Sequence, residues 1–200
     1  MRARGEGLEG AQRVLIHGVT GSGKTRLARR LSAATGLPWT ESDAEAWLPG
    51  WQQRPLAEQR DRLTAICARD RWILDSAYST WQDVVLPRTE LIIGLDYPRW
   101  LSLARLLRRT AVRIVDRRPV CGDNTETLRQ TFSRESIVAW HFRSFHGKRA
   151  ALDAWEADPS APPVLRFRSP RELERWLTGL TADPGRRVSD STDPGSRTST

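Results

Sequence analysis

Residues 18–25 read Gly18-Val19-Thr20-Gly21-Ser22-Gly23-Lys24-Thr25, which satisfies the phosphate-loop pattern G-x-x-x-x-G-K-[ST] at every fixed position. Such a loop works only between a buried strand and a helix that begins at its lysine, so it dictates the local architecture on both sides. The glycines can take positive φ and let the backbone N–H groups turn inward round a phosphate. Lys24 places a point charge on the β- and γ-phosphates, Thr25 offers a hydroxyl to Mg²⁺, and the helix start aims its positive end at the same anion. The flanks agree. Arg13-Val14-Leu15-Ile16-His17 is a short apolar run before the loop, Leu27, Ala28, Leu31 and Ala34 follow at helical spacing, and Gly36 stops the helix. These residues read as a nucleoside-triphosphate site.

The chain of 200 residues suits one α/β domain with its own core. Residues 1–11 read as a flexible leader, 12–179 as the domain and 180–200, rich in Asp-Pro-Gly, Ser and Thr, as a disordered tail. The apolar runs are too short for a membrane span and the N-terminus lacks an apolar signal core, which makes a cytoplasmic location the expectation. Cys67 and Cys121 have no metal-ligand spacing and read as inert thiols, and His17, His141 and His146 share no metal-ligand spacing either.

Further strands are expected where short apolar runs end in carboxylates. Leu37–Asp43 offers Glu41 and Asp43 as site acids, and Arg71–Asp75 has the form of a strand whose closing acid reaches a metal through water. Leu91–Asp96 reads as a buried strand beside the phosphate-loop strand, and Val164–Arg168 as the last. Helices are expected over Pro55–Arg69, from Pro98 with Trp100, Leu101, Leu103, Ala104 and Leu107 inward, over Thr125–Trp155, and from Ser169-Pro170-Arg171-Glu172 to about Leu177. Trp47-Leu48-Pro49-Gly50-Trp51 reads as a loop beside an acceptor pocket, or as aromatic cover for the core.

Net charge is +8, and residues 99–118 hold seven arginines against Asp116, a local sum of +6. A nucleic-acid face produces such a cluster, and so does a flap that closes on polyphosphate; the flap needs no additional ligand. The segment from Arg113 to Asn124 reads as a loop between two helices, with a lid over about 109–127. Of 32 basic residues only Lys24 and Lys148 are lysine.

The order of these motifs resembles the adenylate-kinase-like branch of the P-loop kinases, and most closely the DNA topology modulation (FlaR-like) proteins. The likeness covers about 13–178. It rests on the loop at 18–25, Leu37-Pro38 leading to Ser42-Asp43, Trp47-Leu48-Pro49-Gly50-Trp51, and Arg71-Trp72-Ile73-Leu74-Asp75 followed by Tyr78-Ser79. Leu95-Asp96, Pro98-Arg99-Trp100-Leu101 and the arginine helix complete it. The resemblance implies a three-layer α/β fold with a five-stranded parallel sheet, helices on both faces and a small arginine-rich lid closing on the transferred phosphoryl group. It also implies that the turn after Arg168, at Ser169, lies near adenine. The classical Asp-Gly-x-Pro-Arg run that clamps AMP is replaced here by Asp75-Ser76-Ala77-Tyr78-Ser79, which supplies no arginine and so does not indicate AMP as acceptor.

The resulting expectation is an ATP- and Mg²⁺-dependent kinase acting on an unidentified small-molecule acceptor. Lys24 with Arg105 and Arg109 neutralises charge, Thr25 and Asp75 organise the metal, and Arg113 and Ser169 complete the nucleotide contacts. Asp43 orients or deprotonates the acceptor hydroxyl, while Trp47, Trp51 and Tyr78 shape its pocket. The alternative is a nucleotide-gated regulatory or DNA-binding ATPase that affects DNA topology, with the arginine cluster on DNA phosphates.

Overall fold

In a computed structural model, which describes residues 8, 10–50, 52–116 and 137–182, five parallel strands form one sheet. In chain order the elements are β1 (Arg13–Gly18), α1 (Lys24–Thr35), β2 (Trp39–Thr40), α2 (Ser42–Ala46), β3 (Trp47–Leu48), β4 (Gln52–Gln53), α3 (Leu56–Cys67), β5 (Trp72–Leu74) and α4 (Gln82–Val85). They continue as β6 (Leu91–Leu95), α5 (Arg99–Asp116), α6 (Ile137–Ala157), β7 (Val164–Phe167) and α7 (Pro170–Ala182).

The sheet order is β2-β5-β1-β6-β7. β1 pairs with β5 on one side, Val14 opposite Ile73, and with β6 on the other, Ile16 opposite Ile93. The run Val14–Ile16 is apolar at every position because both faces of a central parallel strand are covered. Alternate residues go to opposite layers. Val14, Ile16, Leu91, Ile93 and Leu95 join Leu27, Leu31, Leu173 and Leu177 from α1 and α7, whereas Leu15, Ile92 and Leu74 join Leu63, Trp81, Val85 and Leu152 from the opposite side. The order in which strands are added switches sides about β1, since β2 and β5 lie to one side and β6 and β7 to the other, which opens a ligand crevice at the C-terminal end of β1. The three-layer fold and the central place of β1 agree with expectation.

Several local expectations are corrected. The strand expected over 37–43 is only two residues long, because Ser42–Ala46 turns into α2. The expected loop at 47–51 is instead a small antiparallel hairpin, Trp47 opposite Gln53, with Gly50 at φ 77° in the turn. Trp51 lies outside the described residues. α5 continues through Asp116, so 113–116 are helical where a loop was expected; 117–127 of the expected lid are outside the described residues, as is Cys121. Its inward stripe also differs. Trp100 is 70% exposed and Leu107 is exposed, while Ser102, Leu106 and Thr110 form the buried face at i, i+4, i+8. Two of those three are polar, which hid the stripe from a search for apolar periodicity. Leu8 and Ala11 pack on the first cluster, and α7 runs to Ala182.

Candidate active site

The loop 18–23 leaves the end of β1 and enters α1 at Lys24, as the motif requires. Gly21 has φ 83°, and a Cβ there would overlap the Ser102 carbonyl oxygen and crowd Leu106. Glycine is therefore demanded twice, by backbone angle and by the close approach of α5. Gly23 is the left-handed N-cap of α1 at φ 99° with open space beside it. Ser22 is buried and its Oγ has no hydrogen-bond partner. An orphaned hydroxyl in the phosphate loop fits an anion that would satisfy it.

Thr25 and Asp75 come together. The Thr25 hydroxyl donates to Asp75 Oδ2 at 2.6 Å, and Asp75 Oδ1 accepts the Ser42 amide at 2.9 Å. Asp75 is only 4% exposed, so the carboxylate is held by two neutral donors from α1 and α2 with no cation bonded to it among the described residues. One hydroxyl and one fixed carboxylate at a phosphate loop suit Mg²⁺, which keeps several waters and takes few protein ligands. Ser42 Oγ donates to the Ser76 carbonyl oxygen at 2.6 Å, which fixes α2 on the turn after β5.

Asp43, one residue along from Ser42, has a different partner. Tyr78 donates its phenol proton to Asp43 Oδ1 at 2.7 Å and accepts from Trp47 Nε1 at 3.3 Å, and its ring stacks on buried Trp81 at 4.2 Å. The hairpin and the loop after β5 thus hold one carboxylate by way of a phenol. Tyr78 stands beside Asp43, and Trp47 reaches it through Tyr78.

Lys24 donates to the Val19 carbonyl oxygen of its own loop at 3.2 Å. Burial lowers its pKa, against the pull of Asp43 and Asp75, and Arg109 lowers it further. Arg105 Nη1 reaches the Ser22 carbonyl oxygen at 3.4 Å and its guanidinium lies 5.4 Å from the Tyr97 ring centroid. Arg105 and Arg109 of α5 therefore belong to the surroundings of the loop. The Arg113 side chain lies outside the described residues. Ser169 is at the start of α7, where its Oγ accepts the Glu172 amide at 3.3 Å while Glu172 accepts the Arg168 amide at 2.8 Å. Its hydroxyl is used as a helix cap.

Sequence reasoning passed over Lys148 and the groups round it. From α6, Lys148 Nζ donates to the Ala77 carbonyl oxygen at 3.3 Å, and its own carbonyl oxygen accepts from His17 Nε2 at 3.1 Å. Burial, then the charge of Lys24, push the Lys148 pKa down to about 8, with Asp43 opposing. His17 is pushed down to about 3 by burial, with Lys148 and Lys24 adding to it; its ring meets Trp155 edge-on at 4.7 Å. A cleft beside the loop is lined by Gly18, Val19, Asp96, Tyr97, Lys148 and Arg149 among others. In its wall, Asp96 accepts from Arg149 at 2.7 Å and from Arg166 at 2.7 Å, and Arg166, 9% exposed at its side chain, also donates to Asp153 and Glu156 of α6. The one sequence signal for Lys148 was its rarity among arginines.

Cys67 is buried and its thiol is pushed up to about 11, an inert state. His141 Nε2 lies 2.9 Å from Ser102 Oγ and His146 Nε2 lies 2.7 Å from Arg99 Nη2. Among the described residues no helix is long and apolar enough to cross a membrane.

No family model matches the chain, and no curated protein matches it in sequence. Solved structures do. The shikimate kinase of Acinetobacter baumannii, in complex with shikimate, is 16% identical with a TM-score of 0.52, covering 89% of this chain and 97% of that one. A shikimate kinase from Bacteroides thetaiotaomicron gives 13% and 0.50, over 86% and 97%, and an unliganded sugar kinase from Janibacter sp. HTCC2649 gives 22% and 0.47, over 88% and 98%. The finer likeness to DNA topology modulation proteins receives no support from them. What the two shikimate kinases share with this chain over nearly its whole length is architecture: the chain has the P-loop kinase fold.

Proposed function

We propose that this protein is a kinase that moves the γ-phosphoryl group of ATP, with Mg²⁺, to a hydroxyl of a small-molecule acceptor, within the adenylate-kinase-like branch its motifs resemble. The observation that carries this reading is the Thr25–Asp75 contact at 2.6 Å at the head of the phosphate loop. It joins the loop hydroxyl to a fixed carboxylate from the neighbouring strand, while a separate carboxylate, Asp43, waits on the acceptor side. Two carboxylates with two roles distinguish a transferase from a loop that only holds nucleotide.

The amides of 18–23, Lys24, Arg105 and Arg109 would hold the polyphosphate, with Arg113 and Ser169 on the nucleotide's outer parts. Thr25 and Asp75 would hold Mg²⁺, which when bound neutralises phosphate charge. The acceptor oxygen forms its bond to the γ-phosphorus as the bond from that phosphorus to the β–γ bridging oxygen breaks, ADP leaves with that oxygen, and the hydroxyl proton passes to Asp43. Trp47 and Tyr78 wall the acceptor side.

The test is transfer of labelled γ-phosphate to a panel of nucleosides, nucleotides, sugars, hydroxy acids and small alcohols. A single labelled product, lost in Lys24→Ala with the fold retained, is the expected result. Full ATP affinity and turnover in Lys24→Ala would defeat the reading. Tight duplex DNA binding that falls steeply with salt, without any labelled product, would favour the regulatory alternative.

A further inference from the structure

We propose that Lys148 is the cation that receives the phosphoryl group in flight, standing between the donor phosphates and the acceptor. The proposal rests on the kinase reading above. Its starting point is where the side chain is anchored. The Lys148 carbonyl oxygen accepts from His17, the residue just before the phosphate loop, and its ammonium donates to Ala77, two residues past Asp75. The helix α6 is thereby stitched at one residue to the ends of both β1 and β5, the two strands that flank the crevice. The side chain also shares its cleft with Gly18 and Val19 of the loop.

The charges nearest to it define its role. Lys24 repels the Lys148 ammonium and Asp43 attracts it, so Lys148 lies within the field of the donor-side cation and of the acceptor-side carboxylate together. The other titratable or charged groups that face this place are His17 of β1, Asp75 after β5, Asp96 and Tyr97 after β6, Arg105 and Arg109 of α5, and Arg149 beside it. Of these, Asp96 is already paired to Arg149 and Arg166, and Asp75 is held by Thr25 and Ser42. Around the loop Lys24, Lys148 and Arg105 stand against the carboxylates Asp43 and Asp75, a surplus of positive charge in partly buried surroundings that an anion relieves. The anion that occupies a point between Lys24 and Asp43 in a phosphoryl transfer is the γ-phosphoryl itself. The α- and β-phosphates already have the loop amides and Lys24. A carbonyl oxygen at 3.3 Å is a long contact that an ammonium can exchange for a phosphate oxygen without leaving its place.

The probes are ADP and the β,γ-imido analogue of ATP, each with Mg²⁺, titrated by calorimetry into wild type, Lys148→Met and Lys148→Gln. Both substitutions keep most of the stem, and Gln also keeps a donor for Ala77. The expected result is a loss of about tenfold or more for the imido analogue in both variants, with ADP affinity held within about twofold. Retained ADP binding reports an intact loop and fold in the same experiment. Unchanged affinity for both nucleotides overturns the proposal, and so does an equal loss for both in a variant that unfolds at the wild-type temperature. Lys24→Ala keeps the two readings apart: if it abolishes nucleotide binding and transfer while the Lys148 variants bind the imido analogue normally, the kinase reading stands and only this inference falls.

Discussion

Removing the Lys148 ammonium will make the protein without nucleotide more stable, and the size of the gain follows from its surroundings. Its pKa falls from 10.5 to about 8, chiefly through burial. At about 1.36 kcal/mol per unit, the protonated side chain costs the folded state roughly 3 kcal/mol at pH 7, where folded and unfolded chains both carry the proton. Between about pH 8 and 10.5 the unfolded chain binds that proton and the folded chain does not, so wild-type stability rises with pH through this window. Lys148→Met removes the titration and keeps the aliphatic packing, but it leaves the Ala77 carbonyl oxygen without its donor, a cost of about 1 kcal/mol. The net gain at pH 7 is about 2 kcal/mol, and by pH 9.5 it is close to zero. Urea denaturation of both proteins at the two pH values, with no nucleotide present, measures it. A Lys148→Met protein that is less stable at pH 7, or a difference that does not change with pH, would refute the reasoning. A stabilising substitution that also weakens triphosphate binding marks a charge kept for function against the interest of the fold.

Two other outcomes follow from the same geometry. Gly21→Ala will lose at least about 2 kcal/mol more stability than Gly23→Ala, because both force alanine into positive φ but only the first meets the Ser102 carbonyl and Leu106; paired thermal melts decide it. His17, with its pKa lowered to about 3, stays neutral when folded and charges when unfolded, so its share of stability is whole above about pH 6.5 and is lost as pH falls toward 3. His17→Asn should flatten that acid limb in urea midpoints between pH 4 and 7.

The parts of the molecule that were legible in the sequence are those governed by local rules. The phosphate loop announces itself because its glycines, lysine and threonine sit at fixed spacing, and β1 and β6 because an unbroken apolar run has no other place than the middle of a parallel sheet. The pairing of Thr25 with Asp75 was foreseeable because a strand ending in an acid has a defined place beside such a loop. Other features are tertiary. The inward face of α5 is made by Ser102, Leu106 and Thr110 because Gly21 admits the helix backbone so closely that only small or well-placed side chains fit, which no apolar count reveals. The turn into α2 at Ser42 depends on the Asp75 carboxylate accepting the Ser42 amide, a bond between residues 33 apart. Lys148 escaped notice because its significance lies in burial and in neighbours from three other elements.

The Arg166 clasp has a consequence for that lysine. By binding Asp96 at the end of β6 together with Asp153 and Glu156, it bolts the second half of α6 to the sheet, and Gly94 lets Leu152 settle directly onto the same strand. A positive charge carried on a helix so fastened does not have to travel or reorient when the phosphoryl group moves, in contrast to arginines brought in by a closing flap. The work of placing that charge is done when the chain folds, and the chemical step starts with it already in place.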